Sequence, residues 1–539
     1  MKVKNKLTYW TPIIGAICMI IGLWGGYYLL PHQPELTPSQ KKLLSLLEMI
    51  DKEYVDSVSI DSLVEMSIPE ILRNLDPHSA YIALKDKRQI SEELEGSFGG
   101  VGVKFHILND TIRLVEIVAG GPAEEVGLLA GDRIIAVDNE NFTGKDIDEK
   151  MVFSHLRGEI GTTVTLTVLR PADGTVRNYT VTRGNIPQPS VSAAYMLTDS
   201  IGMVKVDKFA RTTYDEFYKA LTSLAFSGAR KFVIDLRGNT GGYMEPAIMM
   251  VNEFLTPGRT IVETRGRTPG SNNIVLSDGT GLFRDFEVAV LLDEQSASAS
   301  EIFAGAIQDN DRGLIIGRRS FGKGLVQKPL ILPDSSEVRL TVQRYYTPSG
   351  RCIQKDYKNG NNSYELELFD RVDHGELFSA DSIVTDKSRT FLTTTGRKMY
   401  GAGGIIPDVF VPTDTTGFNS YYLSIMRENL PGAYAYEYVD LNRSQLSRCK
   451  TLDQLLKLLP PDRIILESFA DYAREHGIKK RPYYISQSGS LIVNQIKAVI
   501  AQDILGSKFF YEVYQQDDKA VQQAVKELET GKAHFPIMP

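Results

Sequence analysis

The segment from Ser296 to Gln327 restricts the possible folds of this chain more than any other stretch. An apolar run at 288–292 precedes it and predicts a buried strand, and apolar residues between 302 and 307 recur on one helical face. The pattern therefore predicts a strand, a tight turn that carries serines, and a helix. A later loop of the same segment holds Lys323 between two glycines.

A serine at the start of a helix and a lysine in a glycine loop are the groups that Ser-Lys acyl transfer requires. The N-terminus of a helix stabilises negative charge that develops during such a reaction. Glycines allow the backbone to approach a substrate closely. Ser298 and Lys323 are therefore candidate catalytic residues.

Each of these features also has a simpler interpretation. Ser298 and Glu301 match the S-x-x-E pattern of a capping box, and Gly-Lys-Gly is typical of an ordinary turn. A phosphate-binding P-loop is excluded, because Lys323 is not followed by Ser or Thr. No histidine lies between His155 and His374, so a Ser-His pair would require a distant histidine to arrive by folding.

Seven motifs, two of them within this segment, follow one another along the chain from Leu75 to Val409. They are LDPHSAYI, GSFGGVGV, DLRGNTGG, SASASEIFAGAIQDNDR, SFGKGLVQ, RYYTPSGRCIQ and GGIIPDV. Together they resemble the carboxyl-terminal processing peptidases, which are tail-specific serine proteases. The resemblance implies an endopeptidase with a Ser-Lys dyad that cleaves proteins recognised through their C-terminal tails, with no cofactor and no metal.

The resemblance also assigns roles to individual residues of this chain. It implies that Ser298 is the nucleophile, that Lys323 is the general base, and that Gln327 orients the lysine. The backbone N–H groups of Gly242 and Ala299 would form the oxyanion hole.

Residues 99–184 change to short alternating strands, which predict a β-rich domain. This segment resembles a PDZ domain, and the resemblance implies a carboxylate-binding loop made of Gly99, Gly100, Val101 and Gly102. Successive backbone N–H groups can hold a terminal carboxylate, and an exposed sheet edge accepts an extended peptide as an added strand. A plain glycine-rich turn is the alternative interpretation of the loop.

The amino-terminal residues carry three lysines, and an uncharged stretch at 9–30 follows them. Such a stretch is long enough to cross a bilayer, and the preceding lysines favour a cytoplasmic N-terminus. We predict a cytoplasmic tail at 1–8 and a transmembrane anchor at 9–30. The protein would then be a single-pass protein of the bacterial inner membrane with a periplasmic catalytic part. A cleaved signal peptide is the alternative, but no A-x-A-like site precedes Pro31.

Composition excludes several other classes of function. The chain has 60 basic and 67 acidic residues and a net charge of −7, and it has no basic tract with interleaved aromatics, so we predict no nucleic-acid partner. Three cysteines are too few for a disulfide framework, and only Cys352 and Cys449 are left as a possible pair. No CxxC motif or His/Cys cluster indicates a metal site.

These patterns predict a multidomain α/β protein with a crotonase-like protease core and an inserted PDZ domain. The predicted regions are a helical N-terminal region at 31–98, the PDZ domain at 99–184, the Ser-Lys core at 185–414 with a polar insertion at about 356–397, and a mostly helical extension at 415–539. The extension has three candidate roles, which are capping the core, homodimerisation and binding of an adaptor protein. His78 follows Asp-Pro, which predicts a turn.

Two rival functions come from other classes of protein. One is a PDZ scaffold whose protease-like core has lost activity, and retention of Ser298, Lys323 and Gln327 argues against it. The other is a crotonase-like acyl-CoA enzyme, which the PDZ segment and the predicted location disfavour.

Overall fold

The computed structural model describes residues 7–29, 36–108, 110–144, 147–171, 173–401 and 403–531. The chain divides into two units, Met1–Ile71 and Leu72–Pro539. Strands and helices are numbered in chain order. The helices of the first unit are α1 (Leu7–Leu29), α2 (Pro38–Glu53) and α3 (Ile60–Arg73), the last of which runs across the boundary. Thr37 begins α2 with a reciprocal capping box to Gln40.

The residues predicted as a transmembrane anchor, 9–30, fall largely within α1. A helix that spans the hydrocarbon core needs about 20 predominantly apolar residues. No helix in the described part of the chain is both long and apolar enough to meet this requirement. The predicted single-pass anchor in the inner membrane is therefore wrong, and with it the observation from which the periplasmic catalytic part was inferred. Residues 1–6 and 30–35, which belong to the predicted tail, anchor and helical region, lie outside the described residues.

The second unit begins with short elements that lead into a β-rich region. These elements are β1 (Ala80–Ile82), α4 (Leu84–Glu95) and β2 (Ser97–Gly100). The β-rich region contains β3 (Val103–Leu108), β4 (Thr111–Ile117), α5 (Pro122–Glu125), β5 (Arg133–Val137), β6 (Glu140–Asn141), α6 (Glu149–Leu156), β7 (Thr163–Arg170) and β8 (Thr175–Thr182). Its antiparallel sheet has the order β3-β4-β5-β7-β8, with β6 beside β5. At the base, β2 pairs antiparallel with β9 (Gly184–Pro187), so the chain enters and leaves this region side by side.

A six-stranded sheet forms the centre of the second unit. Its strands are β10 (Val191–Met196), β11 (Ile201–Val206), β12 (Lys231–Asp235), β15 (Glu287–Leu292), β16 (Leu314–Gly317) and β21 (Val409–Phe410). They lie in the order β10-β11-β12-β15-β16-β21, and every pair except β10–β11 is parallel. Parallel strands are covered on both faces, which explains the continuous apolar runs of β12 and β15. The covering helices include α7 (Thr213–Phe226), α8 (Met244–Asn252) and α9 (Ala299–Asp309).

A second, antiparallel sheet lies beside the central one and holds the lysine loop. It contains β1, β13 (Thr260–Gly266), β14 (Asn273–Leu276), β17 (Leu325–Ile331) and β18 (Glu337–Tyr346). The predicted insertion is structured: it contains α10 (Asn361–Asp373), a single 3-10 turn (Ala380–Ser382) and β19 (Asp386–Leu392), which pairs with β20 (Lys398–Gly401).

The carboxyl-terminal region is helical, as the sequence predicts. Its helices are α11 (Ser420–Arg427), α12 (Leu430–Leu446), α13 (Leu452–Leu458), α14 (Asp462–Glu475), α15 (Pro482–Leu505), α16 (Ser507–Tyr514) and α17 (Lys519–Glu529). Leu108 and Val115 of the β-rich region belong to the same hydrophobic core as these helices, whereas α17 packs on the central sheet. Homodimerisation and adaptor binding stay predictions. All three cysteines, Cys18, Cys352 and Cys449, are free, so Cys352 and Cys449 form no disulfide.

Candidate active site

The loops that follow β12 and β15 meet at one edge of the central sheet, because these strands are parallel neighbours. Asn239 joins the two loops: its carbonyl oxygen accepts the N–H of Ala297 at 3.0 Å and the hydroxyl of Ser300 at 2.9 Å. Gly241 lies directly against the turn before α9, where an added Cβ would stand 2.7 Å from Cβ of Ser298. Glycine at 241 therefore allows the DLRGNTGG loop to approach the serine turn.

Ser298 stands immediately before α9 in a backbone conformation that only a few residues other than glycine adopt. Its φ is +56° and its ψ is −112°, which is a strained position for a residue with a Cβ. The side chain is half-buried. Ser298 and Glu301 form the capping box that the sequence pattern predicts, and no hydrogen bond from the hydroxyl to Lys323 is present among the described residues. The turn therefore places Oγ at the start of the helix.

Two backbone N–H groups beside this serine lack acceptors. Within the described residues, the amides of Gly242 and Ala299 donate no hydrogen bond, although those of Gly241 and Tyr243 do. Gly242 has a φ of +143°. Both residues line a cavity of about 140 Å³ together with Ser298 and Gln327. The other lining residues are mostly apolar or aromatic: Tyr243, Met244, Ile302, Leu325, Val326 and Tyr345. The structure thus brings four of the predicted site residues together.

Glu301 joins the serine turn to the lysine loop, a link that sequence reasoning missed. Its carboxylate is completely buried. Oε2 accepts the backbone N–H groups of Ser298 and Lys323, both at 2.8 Å. Oε1 accepts the N–H of Gly322 at 2.7 Å and the hydroxyl of Ser320 at 2.5 Å. Burial raises the pKa of Glu301, and these hydrogen bonds oppose the rise. The capping-box pattern was a partial signal, because it predicted only the bond to the serine turn.

Lys323 is half-buried and does not line the cavity. Within the described part of the chain its ammonium group makes no hydrogen bond and no ion pair. Burial lowers the pKa of Lys323, with the Glu301 and Asp76 carboxylates opposing this effect. The hydroxyl of Tyr345 lies between the carbonyl oxygens of Ser298 and Lys323, so it contacts both the serine turn and the lysine loop.

Gln327 contacts a polar chain rather than the lysine that it was predicted to orient. Its Nε2 donates to Oγ1 of Thr341 at 3.3 Å, and that hydroxyl donates to Oδ1 of Asp76 at 3.0 Å. Burial raises the pKa of Asp76, but hydrogen bonds from Ser79, His78 and Thr341 together lower it by more. The pKa therefore lies below its ordinary value. No hydrogen bond between Gln327 and Lys323 is present among the described residues.

His78 forms the predicted turn and also lies near the lysine. Its backbone N–H donates to Oδ1 of Asp76, and Nε2 lies 2.7 Å from the hydroxyl of Tyr364. Burial, followed by the charge of Lys323, lowers the pKa of His78 to about 4. The imidazole is therefore neutral at ordinary pH and adds no positive charge beside the lysine.

The predicted carboxylate-binding loop begins within β2, because Gly99 and Gly100 are the last residues of this strand and pair with β9, whereas Val101 and Gly102 lie between β2 and β3. An added Cβ on Gly99 would stand 2.2 Å from the carbonyl oxygen of Gly158, and Gly102 has a φ of +83°. Val101 is buried, and the strand β2 ends at Gly100. The N–H of Gly102 donates no hydrogen bond to any described residue.

Among the described residues no group of three or more His, Cys, Asp or Glu side chains could hold a metal ion.

Comparison with known proteins gives this arrangement a family. Residues 200–360 match the model of peptidase family S41, residues 113–170 match a PDZ domain, and residues 421–506 match a family of unknown function. The chain is 34% identical over 315 residues to a carboxy-terminal-processing protease of Bartonella bacilliformis, covering 57% of this chain and 71% of the relative. It is 32% identical over 324 residues to the carboxy-terminal processing protease CtpB of Bacillus subtilis, covering 60% and 67%. The photosystem II D1 C-terminal processing protease is a similar solved structure, with 24% identity, 70% and 94% coverage and a TM-score of 0.33.

The fold and the matches define a serine peptidase with a PDZ domain. The chain belongs to the carboxy-terminal processing proteases of peptidase family S41. The predicted family, enzyme class and α/β architecture with a PDZ domain and a helical carboxyl-terminal region are confirmed. The crotonase-like detail, the domain boundaries and the roles of individual residues stay predictions.

Proposed function

We propose that this protein is a Ser-Lys endopeptidase that cleaves protein substrates selected through their C-terminal tails. The observation that carries the proposal is the cavity in which Ser298 stands beside the N–H groups of Gly242 and Ala299, which donate to no acceptor in the described part of the chain. A reacting carbonyl needs a nucleophile on one side and hydrogen-bond donors for its oxygen on the other. The cavity supplies both, and its apolar lining suits a substrate side chain.

In the proposed acylation step, Oγ of Ser298 attacks the scissile carbonyl carbon while Nζ of Lys323 takes the hydroxyl proton. The carbonyl oxygen becomes an oxyanion, which accepts hydrogen bonds from the N–H groups of Gly242 and Ala299. The tetrahedral intermediate then collapses and its C–N bond breaks. The leaving amine takes the proton from the Lys323 ammonium, and an acyl ester on Ser298 remains.

In the proposed deacylation step, water attacks the acyl ester and gives one proton to neutral Lys323. The second intermediate collapses, the bond to Oγ breaks, and the lysine returns its proton to Ser298. The reaction requires lysine to be neutral at its start. An ordinary lysine has a pKa of about 10.4, so only about one molecule in 2,500 is neutral near pH 7. Burial of Lys323 lowers its pKa and so increases the neutral fraction.

The loop from Gly99 to Gly102 is proposed to hold the substrate's terminal carboxylate. This proposal is supported by the match to a PDZ domain and by the N–H of Gly102, for which the described residues offer no acceptor. The strand β3 follows the loop and, among the described strands, pairs with β4 alone, so its other edge can accept an extended peptide. A substrate compared with a free and an amidated C-terminus tests this proposal. Equal cleavage of both forms would remove carboxylate recognition.

The nucleophile is tested with Ser298→Ala and two matched controls. The hydroxyls of Ser296 and Ser300 donate to the carbonyl oxygens of Leu236 and Asn239. Ser296→Ala and Ser300→Ala should therefore reduce stability but retain cleavage, whereas Ser298→Ala should keep the fold and reduce cleavage by about 10⁴-fold or more. Two quantities are measured for each variant, namely the initial rate at which it cleaves an unfolded protein substrate and its own melting temperature. Retained cleavage in Ser298→Ala would overturn the assignment.

A further inference from the structure

The insertion at 356–397, which precedes the GGIIPDV motif, places a buried arginine against the lysine loop. Arg371 lies near the end of α10, and only 3% of its side chain is exposed. Its guanidinium donates to the carbonyl oxygen of Ser320 at 2.8 Å and to that of Phe321 at 2.9 Å. These two residues come directly before the Gly322-Lys323-Gly324 turn. The arginine therefore bonds to the backbone that carries the proposed base.

A second buried cation, Lys355, contacts this loop at the ring of Phe321. Nζ of Lys355 lies 4.0 Å from the ring centroid of Phe321 and 4.2 Å from that of Tyr364. Glu367 pairs with both cations, accepting Lys355 Nζ at 3.0 Å and Arg371 Nε at 2.7 Å. This carboxylate offsets part of the buried positive charge and fixes the direction of the guanidinium, and Glu376 pairs with a third cation, Arg319.

The lysine loop has no regular secondary structure of its own, so its shape depends on such contacts. The carboxylate of Glu301 accepts hydrogen bonds from the N–H groups of Gly322 and Lys323. The guanidinium of Arg371 donates hydrogen bonds to the carbonyl oxygens of Ser320 and Phe321. Gly322 has a φ of +93°, and an added Cβ there would stand 2.9 Å from the carbonyl carbon of Gly403. The loop is thus held from both sides, by α9 through Glu301 and by the insertion through Arg371.

We propose that Arg371 is a positioning residue for proteolysis, which fixes the loop that carries Lys323 and hence the place of Nζ relative to Ser298. The inference rests on the proposed role of Lys323 as general base. A planar guanidinium can reach two neighbouring carbonyl oxygens at once, whereas a lysine ammonium is a single point donor on a flexible stem. A displacement of about 1 Å between reacting groups can reduce the rate about 10²-fold.

The decisive experiment compares Arg371→Ala and Arg371→Lys with the wild-type chain. We expect kcat to fall about 10²-fold in the alanine variant, with a KM change of less than about threefold, because substrate binding does not use the loop carbonyls. Added guanidinium ion, below the concentration that unfolds the enzyme, should restore part of kcat in Arg371→Ala. Arg389→Ala is the matched control, because Arg389 is an exposed arginine on β19 of the same insertion. It should keep wild-type kcat with and without guanidinium.

The lysine variant decides the question if Arg371→Ala does not fold. Arg371→Lys retains the charge that pairs with Glu367, so its melting temperature should stay near that of the wild type while kcat falls. Wild-type kcat in a folded Arg371→Lys or Arg371→Ala protein would overturn the inference. Lys323→Ala separates the two proposals. Cleavage by Lys323→Ala would overturn the proposed function, whereas an inactive Lys323→Ala beside fully active Arg371 variants would overturn only the positioning role.

Discussion

Arg113 and Asp503 form an ion pair in which both side chains are completely buried, with Nη1 2.8 Å from Oδ2. Arg113 lies on β4 in the segment that matches a PDZ domain, and Asp503 lies on α15 in the helical extension. Asp440 also binds Arg113, at 2.8 Å, and Arg443 also binds Asp503, at 2.9 Å. Charges removed from water persist only when they are paired. The helical extension therefore holds the PDZ segment through contacts that tolerate little rearrangement.

Arg113→Met should lower the free energy of unfolding of the PDZ segment by about 3–5 kcal/mol, because it leaves Asp503 and Asp440 with one cation fewer in a buried place. Lys104→Met is the control, since the Lys104–Glu116 pair is exposed by 50% and 33%, and such pairs contribute about 0–1 kcal/mol. Denaturant titration of both variants measures the difference. Equal losses of unfolding free energy in the two variants would show that the buried Arg113 pairs stabilise the fold no more than an exposed pair does.

Gly242→Ala should reduce kcat about 10²–10³-fold, as expected when one oxyanion donor is displaced. An added Cβ at 242 would stand 2.2 Å from the carbonyl oxygen of Phe209, so the backbone must move. Gly238→Ala is a matched control in the same loop, with a φ of +72° but no atom within 4 Å of an added Cβ. Both variants carry left-handed strain, and only Gly242→Ala moves the amide. A similar kcat in the two variants would contradict the assignment of Gly242.

Glu301→Gln should lower kcat and also reduce stability by about 1–3 kcal/mol, the usual effect of leaving buried donors without an acceptor. Ser320 donates its hydroxyl proton to this carboxylate, and its oxygen also accepts the N–H of Ile405 at 2.6 Å. The amide nitrogen of glutamine would face at least one donor. Glu245→Gln, an exposed change in the first turn of α8, is the control. Steady-state kinetics and melting temperatures measure the two effects. Wild-type kcat and a wild-type melting temperature in both variants would refute the prediction.

Four of the residues that line the cavity were predicted from the sequence, but the groups that hold them in place were not. Ser298 was a candidate because it follows a buried strand and precedes a helix, whereas Gly242 and Ala299 were assigned through the family resemblance; the loops that carry them meet because β12 and β15 are parallel neighbours. Thr341 was not predictable as the partner of Gln327, because the two residues face each other only through the register of β17 and β18. Asp76 reaches Thr341 because β1 pairs with the other side of β18.

Two other predictions failed or fell short for different physical reasons. The anchor at 9–30 was inferred from the absence of charge, and no described helix is apolar enough over a sufficient length to cross a membrane. The insertion at 356–397 was predicted as polar, but its exposed surface also carries large apolar side chains, among them Leu366, Phe369 and Val384. Its buried face carries Arg371 and Tyr364 against the lysine loop, and residue spacing along a single chain does not reveal such a contact.

Lys323→Arg should be nearly as inactive as Lys323→Ala, although it retains the positive charge. A general base needs a free electron pair, and arginine stays protonated at any accessible pH. If the lysine only supplied charge, arginine would restore cleavage. Initial cleavage rates of an unfolded substrate by the wild type and both variants measure the difference. An arginine variant within a few-fold of the wild type would rule out lysine as the base.

Lys323→Met should increase stability at neutral pH, and this gain should shrink as the pH rises. The ordinary pKa of the lysine, 10.5, applies to the unfolded chain, and burial lowers the pKa in the folded protein. Between these two pKa values the unfolded chain binds more protons than the folded chain, so wild-type stability rises with pH across that window. Below the folded pKa the wild type bears the whole penalty of a buried charge, about 1.4 kcal/mol for each unit by which the pKa is lowered.

The measurement is the melting temperature of Lys323→Met minus that of the wild type, taken at several pH values from neutral toward 10.5. All other titrating groups are shared by the two proteins, so they largely cancel in this difference. Lys328→Met is the control, because Lys328 is exposed on β17 a few residues away, so removal of its charge relieves no burial. A Lys323→Met difference that is constant or grows toward alkaline pH would mean that the folded protein does not disfavour the charged lysine. The neutral base in the proposed mechanism would then lose its physical support.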